Sequence, residues 1–371
     1  MKGKKVDTIF LGLIATLLIV GVFMFISASL GVLAKNETEF YKVLFNQLVL
    51  GLGGGVIALI VGLRVPYKFW RKNAFFIFLG SVVLTMLVFV PHLGFSHGGA
   101  RRWISIGPVS FQPVEFLKIG FIMYFATWLS WLKNKASDPK WGIVPLLVLF
   151  STIAVVLLRQ PDTKSFILIV VTGLAMFLIS GVPWKYILGL GILAVVGFGI
   201  LVSFKPYLIE RVTTFVDPSH DPTGSSYQLN QSLIAIGSGG ISGRGYGQSI
   251  QKFSYLPEPQ GDSIFAVIGE EFGFIGTTTL ILLFTAFALR GMRIASRSPD
   301  SFSRLLVSGI VILFVFQAFL NIASLVGLFP LTGVPLVFIS HGGTALLITL
   351  FSMGIVLNVS QFQTAKIKIK E

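Results

Sequence analysis

An uncharged stretch near the start of the chain, residues 8–34, reads TIFLGLIATLLIVGVFMFISASLGVLA. It follows the basic sequence MKGKK, as the apolar part of a signal peptide does, but that part has only about 7–15 residues. An apolar run of about 20 residues is long enough to cross the hydrocarbon layer of a membrane as a helix. The stretch therefore predicts a retained transmembrane helix.

The composition of the whole chain agrees with a membrane protein. Of 371 residues, 54% are hydrophobic and only 12% are charged, whereas a soluble domain has about 25% charged residues. The 40 glycines suit close packing of transmembrane helices, since small residues let backbones approach. The absence of cysteine excludes disulfides, thiolate catalysis and zinc-thiolate sites.

The apolar runs predict an all-α polytopic membrane protein with about ten transmembrane helices in a single integral membrane domain, residues 1–371. An even number of crossings places both termini on one side of the membrane. The runs are found near residues 8–33, 43–63, 73–90, 114–132, 142–158, 165–183, 186–204, 263–289, 305–328 and 335–360.

The distribution of charge orients these helices. If the N-terminus is cytoplasmic, the inner segments hold 18 basic and four acidic residues, so the net charge of +14 lies entirely inside. This bias follows the positive-inside rule for the cytoplasmic membrane. The basic residues stand in short loops beside apolar helices, so their natural partners are anionic membrane lipids and not nucleic acid.

A long outer loop, residues 205–261, separates the predicted helices 7 and 8. Its proline-rich and glycine-rich sequences predict irregular backbone that is partly packed against the helices. The segment GRGYGQS, residues 243–249, lacks the preceding strand, the following helix and the Gly-Lys-Ser/Thr sequence of a nucleotide-binding loop. The glycines therefore indicate turns and not a phosphate site.

Acidic residues gather where this loop meets the next apolar run, in YLPEPQGDSIFAVIGEEFGF, residues 255–274. Glu270 and Glu271 would lie about 12–14 Å beyond Asp262 along a helix, and such intramembrane acids normally join a protein interior network. Asp262 stands at the rim instead. It is either an ionised carboxylate that an outer substrate can reach or the N-cap of the following helix.

Further charged residues are predicted in the outer half of the protein. Glu115 and Lys118 have the i,i+3 spacing of an ion pair, and Asp162 either caps a helix or faces an outer cavity. The four histidines lack metal-ligand spacing. Cations that hold phosphate and a carboxylate that accepts a proton suit a lipid with an anionic head group. The candidates are Arg101, Arg102, Glu115, Lys118, Asp162, Arg211, Lys252, Glu258 and Asp262.

Several long motifs resemble the SEDS (FtsW/RodA/SpoVE) family of shape, elongation, division and sporulation proteins, and within it the FtsW branch more than the RodA branch. The resemblance covers nearly the whole chain. It is carried by GGARRWI, QPVEFLK, QPDTKS, the segment from ERVTTFVDPSHDPTG to LPEPQGDSIFAVIGEEFGFIG, and PLTGVPLVFISHGGTALLITLFSMGIVLNVS.

The resemblance implies a peptidoglycan glycosyltransferase that polymerises lipid II into glycan strands at the outer face of the bacterial cytoplasmic membrane. It implies work in cell division or cell-shape maintenance with a class B penicillin-binding protein, a transpeptidase. The family's catalytic carboxylate maps onto Asp262, which would act as general base while undecaprenyl pyrophosphate leaves. No nucleotide is needed, no metal ligand is assigned, and a divalent cation is left open as a cofactor.

The resemblance also suggests substrate-binding residues. Arg102, Lys118, Arg211 and Lys252 are candidates for contact with pyrophosphate or sugar. Glu115 is expected to orient Lys118, Asp162 and Glu258 to shape the cavity, and Glu271 to belong to an interior network.

Two positions depart from the family pattern. The usual Thr-Asp-Phe around the catalytic acid is Gly261-Asp262-Ser263, and the usual PD-x-G-T reads PDTKS, which places Lys164 where a small residue is usual. Two other functions compete with polymerisation: a lipid-linked-precursor flippase, and a non-enzymatic scaffold that activates the transpeptidase.

Overall fold

The computed structural model describes residues 5–97, 100–106, 109–132, 138–217, 221, 224 and 226–363. These residues form mainly helices. In chain order the α-helices are α1 Thr8–Leu33, α2 Glu37–Phe45, α3 Gly54–Arg64, α4 Tyr67–Met86, α5 Val114–Leu132, α6 Val144–Arg159, α7 Thr163–Ile179, α8 Trp184–Phe204, α9 Pro206–Val216, α10 Tyr227–Ser238, α11 Gln251–Ser254, α12 Ile264–Ser296, α13 Ser301–Leu325 and α14 Gly343–Ser360.

Eight helical segments of the described chain are long and apolar enough to cross a membrane. One of them runs from Glu37 to Arg64, because a π-helix, Asn46–Gly53, joins α2 to α3 without a break. The helix α7 is apolar but shorter, and α5 carries Glu115 and Lys118 in its first turns. Each predicted apolar run thus overlaps a helix, while ten membrane crossings and their orientation stay predictions.

The helices are packed around α13 and α14, which are the most buried of the long apolar helices. The helix α13 contacts α12, α5 and α7, and α14 contacts α3 and the π-helix. By contrast, only 6% of the most apolar stretch of α8 is buried inside the protein. An apolar helix with so little protein contact is suited to a lipid environment, as expected for a membrane protein.

The prediction that the last helix starts near residue 335 is wrong, because α14 begins at Gly343. The segment before it contains Pro330 and Pro335, which lack the N–H that a helix needs. Gly333 lies between them with a φ of 62°. The chain therefore crosses this part of the molecule as irregular backbone, and the site described below uses that backbone.

A small antiparallel sheet corrects the purely α-helical prediction. The strands β1 Gly94–His97, β2 Ala100–Ile106 and β3 Val109–Phe111 are arranged in the order β1-β2-β3. In the register of β2 with β3, Ile104 lies opposite Phe111 and Ser105 opposite Ser110. The sheet lies between α4 and α5, and Arg102 of β2 connects it to the residues before α7.

The predicted outer loop 205–261 contains more helix than its composition suggested. The helices α9, α10 and α11 all lie within it, so the expectation of irregular backbone is wrong for these parts. The expectation that the loop packs against the helices is confirmed, because α10 contacts α12 and α11 contacts α1. The three helices bring the loop back to the start of α12.

Candidate functional site

A cavity of about 550 Å³ lies where six parts of the chain meet. The strand β2, the start of α7, the helices α9 and α10, and the segments before α12 and α14 all contribute to its wall. Its lining residues are Ala100, Arg102, Pro161, Thr163, Lys164, Tyr207, Glu210, Arg211, Thr214, Gln228, Asp262, Leu331, Thr332 and Gly333. The cavity thus combines one face of α9 with charged residues from distant parts of the sequence.

Asp262 is held in this cavity by two amide side chains. Gln228 Nε2 donates to Asp262 Oδ1 at 3.2 Å, and Asn321 Nδ2 donates to the main-chain oxygen of Asp262 at 2.7 Å. The N-cap of α12 is Ser263, with no side-chain capping bond, so the alternative of Asp262 as a helix cap is wrong. Its carboxylate is therefore available to the cavity.

Two cations lie beside that carboxylate. A Cβ atom placed on Gly333 would be 3.2 Å from Asp262 Oδ2, 3.8 Å from Arg211 Nη2 and 3.9 Å from Lys164 Nζ. Arg211 donates to the main-chain oxygen of Thr332 at 3.0 Å, and Lys164 donates to that of Gly333. The segment 332–333 thus gathers one carboxylate and two cations around a single point.

The environment of Asp262 changes its acidity. Burial raises the pKa of the Asp262 carboxyl above its ordinary value, because removal of water disfavours the charged form. The positive charge of Lys164, the hydrogen bond from Gln228 and the charge of Arg211 act in the opposite direction. A carboxyl with a raised pKa is a stronger base than an exposed aspartate, which suits proton abstraction.

Arg102 lines the cavity from β2. Its guanidinium donates to the main-chain oxygens of Gln160, at 3.1 Å, and Pro161. These two residues precede α7, so Arg102 also fixes the entry of the chain into that helix. The neighbouring Arg101 donates to the main-chain oxygen of Gly94 at 3.2 Å and is not among the lining residues.

Asp162 does not line the cavity. It is fully buried, and its Oδ1 accepts from the main-chain N–H of Ser165 at 3.4 Å as the N-cap of α7. The capping alternative is thus confirmed. Its Oδ2 has no hydrogen-bond partner among the described residues, whereas Lys164, two residues further along the chain, lines the cavity.

Glu115 and Lys118 form the predicted ion pair, with Lys118 Nζ 2.7 Å from Glu115 Oε2. Both side chains are buried and neither lines the cavity. Lys118 lies 3.4 Å from Gln317 Oε1, and Gln317 Nε2 donates to the main-chain oxygen of Pro335 at 3.1 Å. The pair therefore supports the irregular segment that forms the cavity wall, and the structure does not bring it into contact with Asp262.

Lys252 lies in a separate buried cluster. Its ammonium is 2.7 Å from Glu271 Oε1, and Ser27 Oγ lies 2.6 Å from the same carboxylate oxygen. The side chains of Lys252 and Glu271 are completely buried, and Lys252 is not among the lining residues. The structure thus gives Lys252 a structural partner and places it apart from Arg102 and Arg211, the candidate substrate ligands that line the cavity.

Glu270 completes a clamp on the segment that carries Asp262. Its carboxylate accepts from Ser249 Oγ at 2.5 Å and from the main-chain N–H of Ile250 at 3.0 Å. The Lys252–Glu271 ion pair joins the ends of residues 252–271, and the bonds from Ser249 and Ile250 to Glu270 join the ends of residues 249–270. Because Asp262 lies inside both ranges, both contacts hold the segment that carries it. The prediction that Glu271 belongs to an interior network is confirmed.

Glu258 lies in this loop but does not line the cavity. Its side chain is exposed, and its φ is 45°. The main-chain oxygen of Glu258 accepts from the N–H groups of Gly261 at 2.9 Å and Ser263 at 3.3 Å. Its backbone therefore forms the turn that presents Asp262.

The residues around Asp262 do not fit a resident divalent cation. Calcium takes about six to eight oxygen ligands, and magnesium is usually held by one or two carboxylates together with waters and substrate phosphates. No group of three or more His, Cys, Asp and Glu residues that could hold a metal occurs in the described part of the chain. Lys164 and Arg211 already stand beside the Asp262 carboxylate, so both would repel a cation placed there.

Several residues of the site were not selected from the sequence. Lys164 was visible as a departure from a family motif but was not assigned a role. Gln228, Asn321 and Gly333 were not singled out. An amide within the apolar run of α13 and a glycine between two prolines are signals that could have identified Asn321 and Gly333, whereas Tyr207 and Gln228 carry no comparable signal.

The chain matches the family FTSW_RODA_SPOVE, described as cell cycle protein, over residues 7–365. It is 38% identical over 364 residues to stage V sporulation protein E of Bacillus subtilis (strain 168), covering 98% of this chain and 99% of that protein. It is 39% identical over 354 residues to the protein named "Probable peptidoglycan glycosyltransferase FtsW" of Geobacter sp. (strain M18), covering 95% and 96%.

Two solved structures have a similar fold. One is described as "Structural coordination of polymerization and crosslinking by a peptidoglycan synthase complex", with a TM-score of 0.78, 28% identity, and coverage of 96% of this chain and 97% of that chain. The other is the rod shape determining protein RodA of Thermus thermophilus, with a TM-score of 0.70, 25% identity, and coverage of 97% and 98%. The similarity therefore extends over nearly the whole fold.

Proposed function

The chain belongs to the FtsW/RodA/SpoVE family of cell cycle proteins, and we propose that its cavity is where lipid II is polymerised into glycan strands. The protein is a multi-pass membrane protein and a peptidoglycan glycosyltransferase of cell division or cell-shape maintenance. The relative from Geobacter sp. (strain M18), which aligns with 95% of this chain, carries that activity in its name. The substrate and the residues that act on it form the proposal.

The observation that carries the proposal is the position of Asp262. Its carboxylate lines a cavity of about 550 Å³, is oriented by Gln228 and has a raised pKa. Asp262 takes the proton from the acceptor sugar hydroxyl as that oxygen attacks the anomeric carbon of the donor. The bond from that carbon to the pyrophosphate oxygen breaks, and undecaprenyl pyrophosphate leaves with the bonding electrons.

The cations of the cavity stabilise the leaving group in this mechanism. The cavity that contains Asp262 is also lined by Arg102, Lys164 and Arg211. Negative charge grows on the pyrophosphate as the glycosidic bond breaks, and fixed cations that face this charge lower the barrier. Glu115, Lys118, Asp162 and Glu258 act indirectly, through the segments that they hold, and Lys252 acts through the clamp on the Asp262 loop.

The proposal includes a site at the outer face of the bacterial cytoplasmic membrane. This orientation rests on the charge bias, because 18 of the basic residues fall in the segments assigned to the inside. The proposed partner is a class B penicillin-binding protein, which crosslinks the strands. The similarity to a solved peptidoglycan synthase complex supports a partner of this kind.

Polymerisation from purified components tests the function. The chain and its cognate transpeptidase are mixed with lipid II in detergent, without nucleotide and without a closed membrane. We expect glycan strands from the complex and none from the transpeptidase alone. A flippase cannot make this product, since it joins no sugars, and a scaffold makes none unless the transpeptidase does. Failure of the folded complex to make strands would refute the assignment.

A further inference from the structure

Lys164 is a cation in an electrostatically unfavourable position of its helix. It is the second residue of α7, which begins at Thr163. The positive end of the helix dipole lies at the N-terminus, so a lysine there is disfavoured relative to an acid. The buried carboxylate of Asp162 stands next to it and reduces this disadvantage. The helix dipole therefore does not explain the presence of lysine at this position, and we consider a function in the cavity that Lys164 lines.

The hydrogen bond that the structure gives for the ammonium of Lys164 uses one of its donors. The ammonium donates to the main-chain oxygen of Gly333, and an ammonium group has three donors. Among the described residues, neither Lys164 nor Arg211 lies within 4 Å of a carboxylate. The other two N–H groups of the Lys164 ammonium can therefore donate to an anion that binds next to Asp262.

The ammonium of Lys164 lies where it would repel a metal ion bound by Asp262. The ammonium lies within 4 Å of a point that is 3.2 Å from Asp262 Oδ2. A divalent cation bound by Asp262 would thus share this space with a fixed positive charge. The ammonium itself can supply positive charge to a phosphate at the same location, since lysine binds phosphate as a point charge.

We propose that Lys164 is a further substrate-binding residue, whose ammonium contacts the pyrophosphate of the lipid-linked donor and supplies charge that a divalent cation would otherwise supply. The proposal rests on the proposed function and deepens it. In the family pattern that the motif PDTKS resembles, this position holds a small residue, and this chain has Lys164 there. The polymerase should then depend less on divalent cations than a variant without this charge.

The first test compares metal dependence between wild type, Lys164→Gln and Lys164→Arg. Glutamine keeps an N–H donor for the Gly333 oxygen and removes the charge, whereas arginine keeps the charge. Lys185→Gln, on the exposed surface of α8, is the matched control. Initial rates of lipid II polymerisation by each complex are measured in EDTA and in excess Mg²⁺.

We expect wild type, Lys164→Arg and Lys185→Gln to keep most of their rate in EDTA. Lys164→Gln should lose about tenfold or more in EDTA, as for a lost hydrogen bond between charged groups, and recover in part with Mg²⁺. Equal metal dependence of wild type and Lys164→Gln would overturn the proposal. So would loss of wild-type activity in EDTA to the level of the variant.

A binding measurement separates this proposal from the proposed function. Undecaprenyl pyrophosphate and undecaprenyl phosphate are titrated into each purified protein in EDTA, without any turnover. We expect wild type to prefer the pyrophosphate, and Lys164→Gln to lose about tenfold of that preference. If wild type binds in this way but makes no strands in any ion condition, polymerisation fails and the Lys164 contact stands. An unchanged preference in Lys164→Gln overturns the contact even if strands form.

Discussion

Asn321 donates to the main-chain oxygen of Asp262 at 2.7 Å and, from the same amide nitrogen, to that of Val334 at 2.8 Å. One side chain of α13 therefore links the two segments that form the carboxylate side of the cavity. Neither segment is helical at these points. The geometry of Asp262 thus depends on a buried amide that need not touch substrate.

Replacement of Asn321 by Leu should lower the polymerisation rate by about tenfold while the protein remains folded. The variant keeps the branched shape of the side chain but leaves two carbonyl oxygens without their donor, which allows the Asp262 segment to shift. The kcat and the KM for lipid II are measured separately, with Asn73→Leu on the exposed part of α4 as control. A change confined to KM would contradict a positioning role.

Gly333→Ala should reduce activity more than it reduces stability. The added methyl group would lie 3.2 Å from Asp262 Oδ2, and the φ of 62° disfavours any side chain. Gly327→Ala is the matched control, because its φ is 75° and its nearest neighbour would be Leu229 at 3.9 Å. We expect similar melting temperatures for both variants and a rate at least about tenfold lower for Gly333→Ala alone. Equal rates would show that the space beside Asp262 is not used.

Single removal of a charge from the Lys252 and Glu271 pair should destabilise the protein strongly. Lys252→Met leaves a buried carboxylate unpaired, which costs about 3–5 kcal/mol. The double variant Lys252→Met with Glu271→Leu should recover much of this loss, because neither charge of the pair is left unpaired. Thermal unfolding in detergent measures both effects.

The same double variant also decides the role of Lys252 in activity. If Lys252 only clamps the loop, recovery of stability should be accompanied by recovery of much of the polymerisation rate. A double variant that is as stable as wild type but inactive would instead support Lys252 as a ligand of the substrate, as the sequence predicted.

The rate of polymerisation should fall on acidification through the pKa of Asp262, because only the ionised carboxylate accepts a proton. Burial raises this pKa above the ordinary value, so the fall begins at a higher pH than for an exposed aspartate. The hydrogen bond from Gln228 lowers the pKa. Gln228→Ala should therefore move the acidic limb of the pH-rate profile to still higher pH. An unchanged acidic limb in Gln228→Ala would show that ionisation of Asp262 does not determine the pH dependence of the rate.

The sequence predicted the elements of the fold well, because long apolar runs have few alternatives in a membrane. It placed α1 at its observed ends. It also predicted a functional role for an acid of residues 255–274, and Asp262 does line the cavity. It missed β1–β3 and the helices of the outer loop, since short elements there depend on contacts with the membrane helices. It also extended the last helix into residues 335–342, where an apolar composition concealed irregular backbone.

The sequence predicted several charged residues of the candidate site but not its uncharged ones, and both outcomes have a physical reason. Charge in an apolar chain is conspicuous, so Asp262, Arg102 and Arg211 could be selected and all line the cavity. Charge alone does not distinguish a ligand from a buried ion pair, so Lys118 and Lys252 were selected too, although both have carboxylate partners. Gln228 and Gly333 act through hydrogen bonding and space, which residue spacing in the sequence does not reveal.

The central claim is that Asp262 is the general base of glycan polymerisation. Its most direct test is the rate of lipid II polymerisation by the purified complex, comparing wild type with Asp262→Asn at matched folding and matched binding of the transpeptidase. Asparagine keeps the size of the side chain and its polarity but cannot take the proton. We predict loss of strand formation in Asp262→Asn with the complex intact. Strand formation at the wild-type rate would contradict the claim.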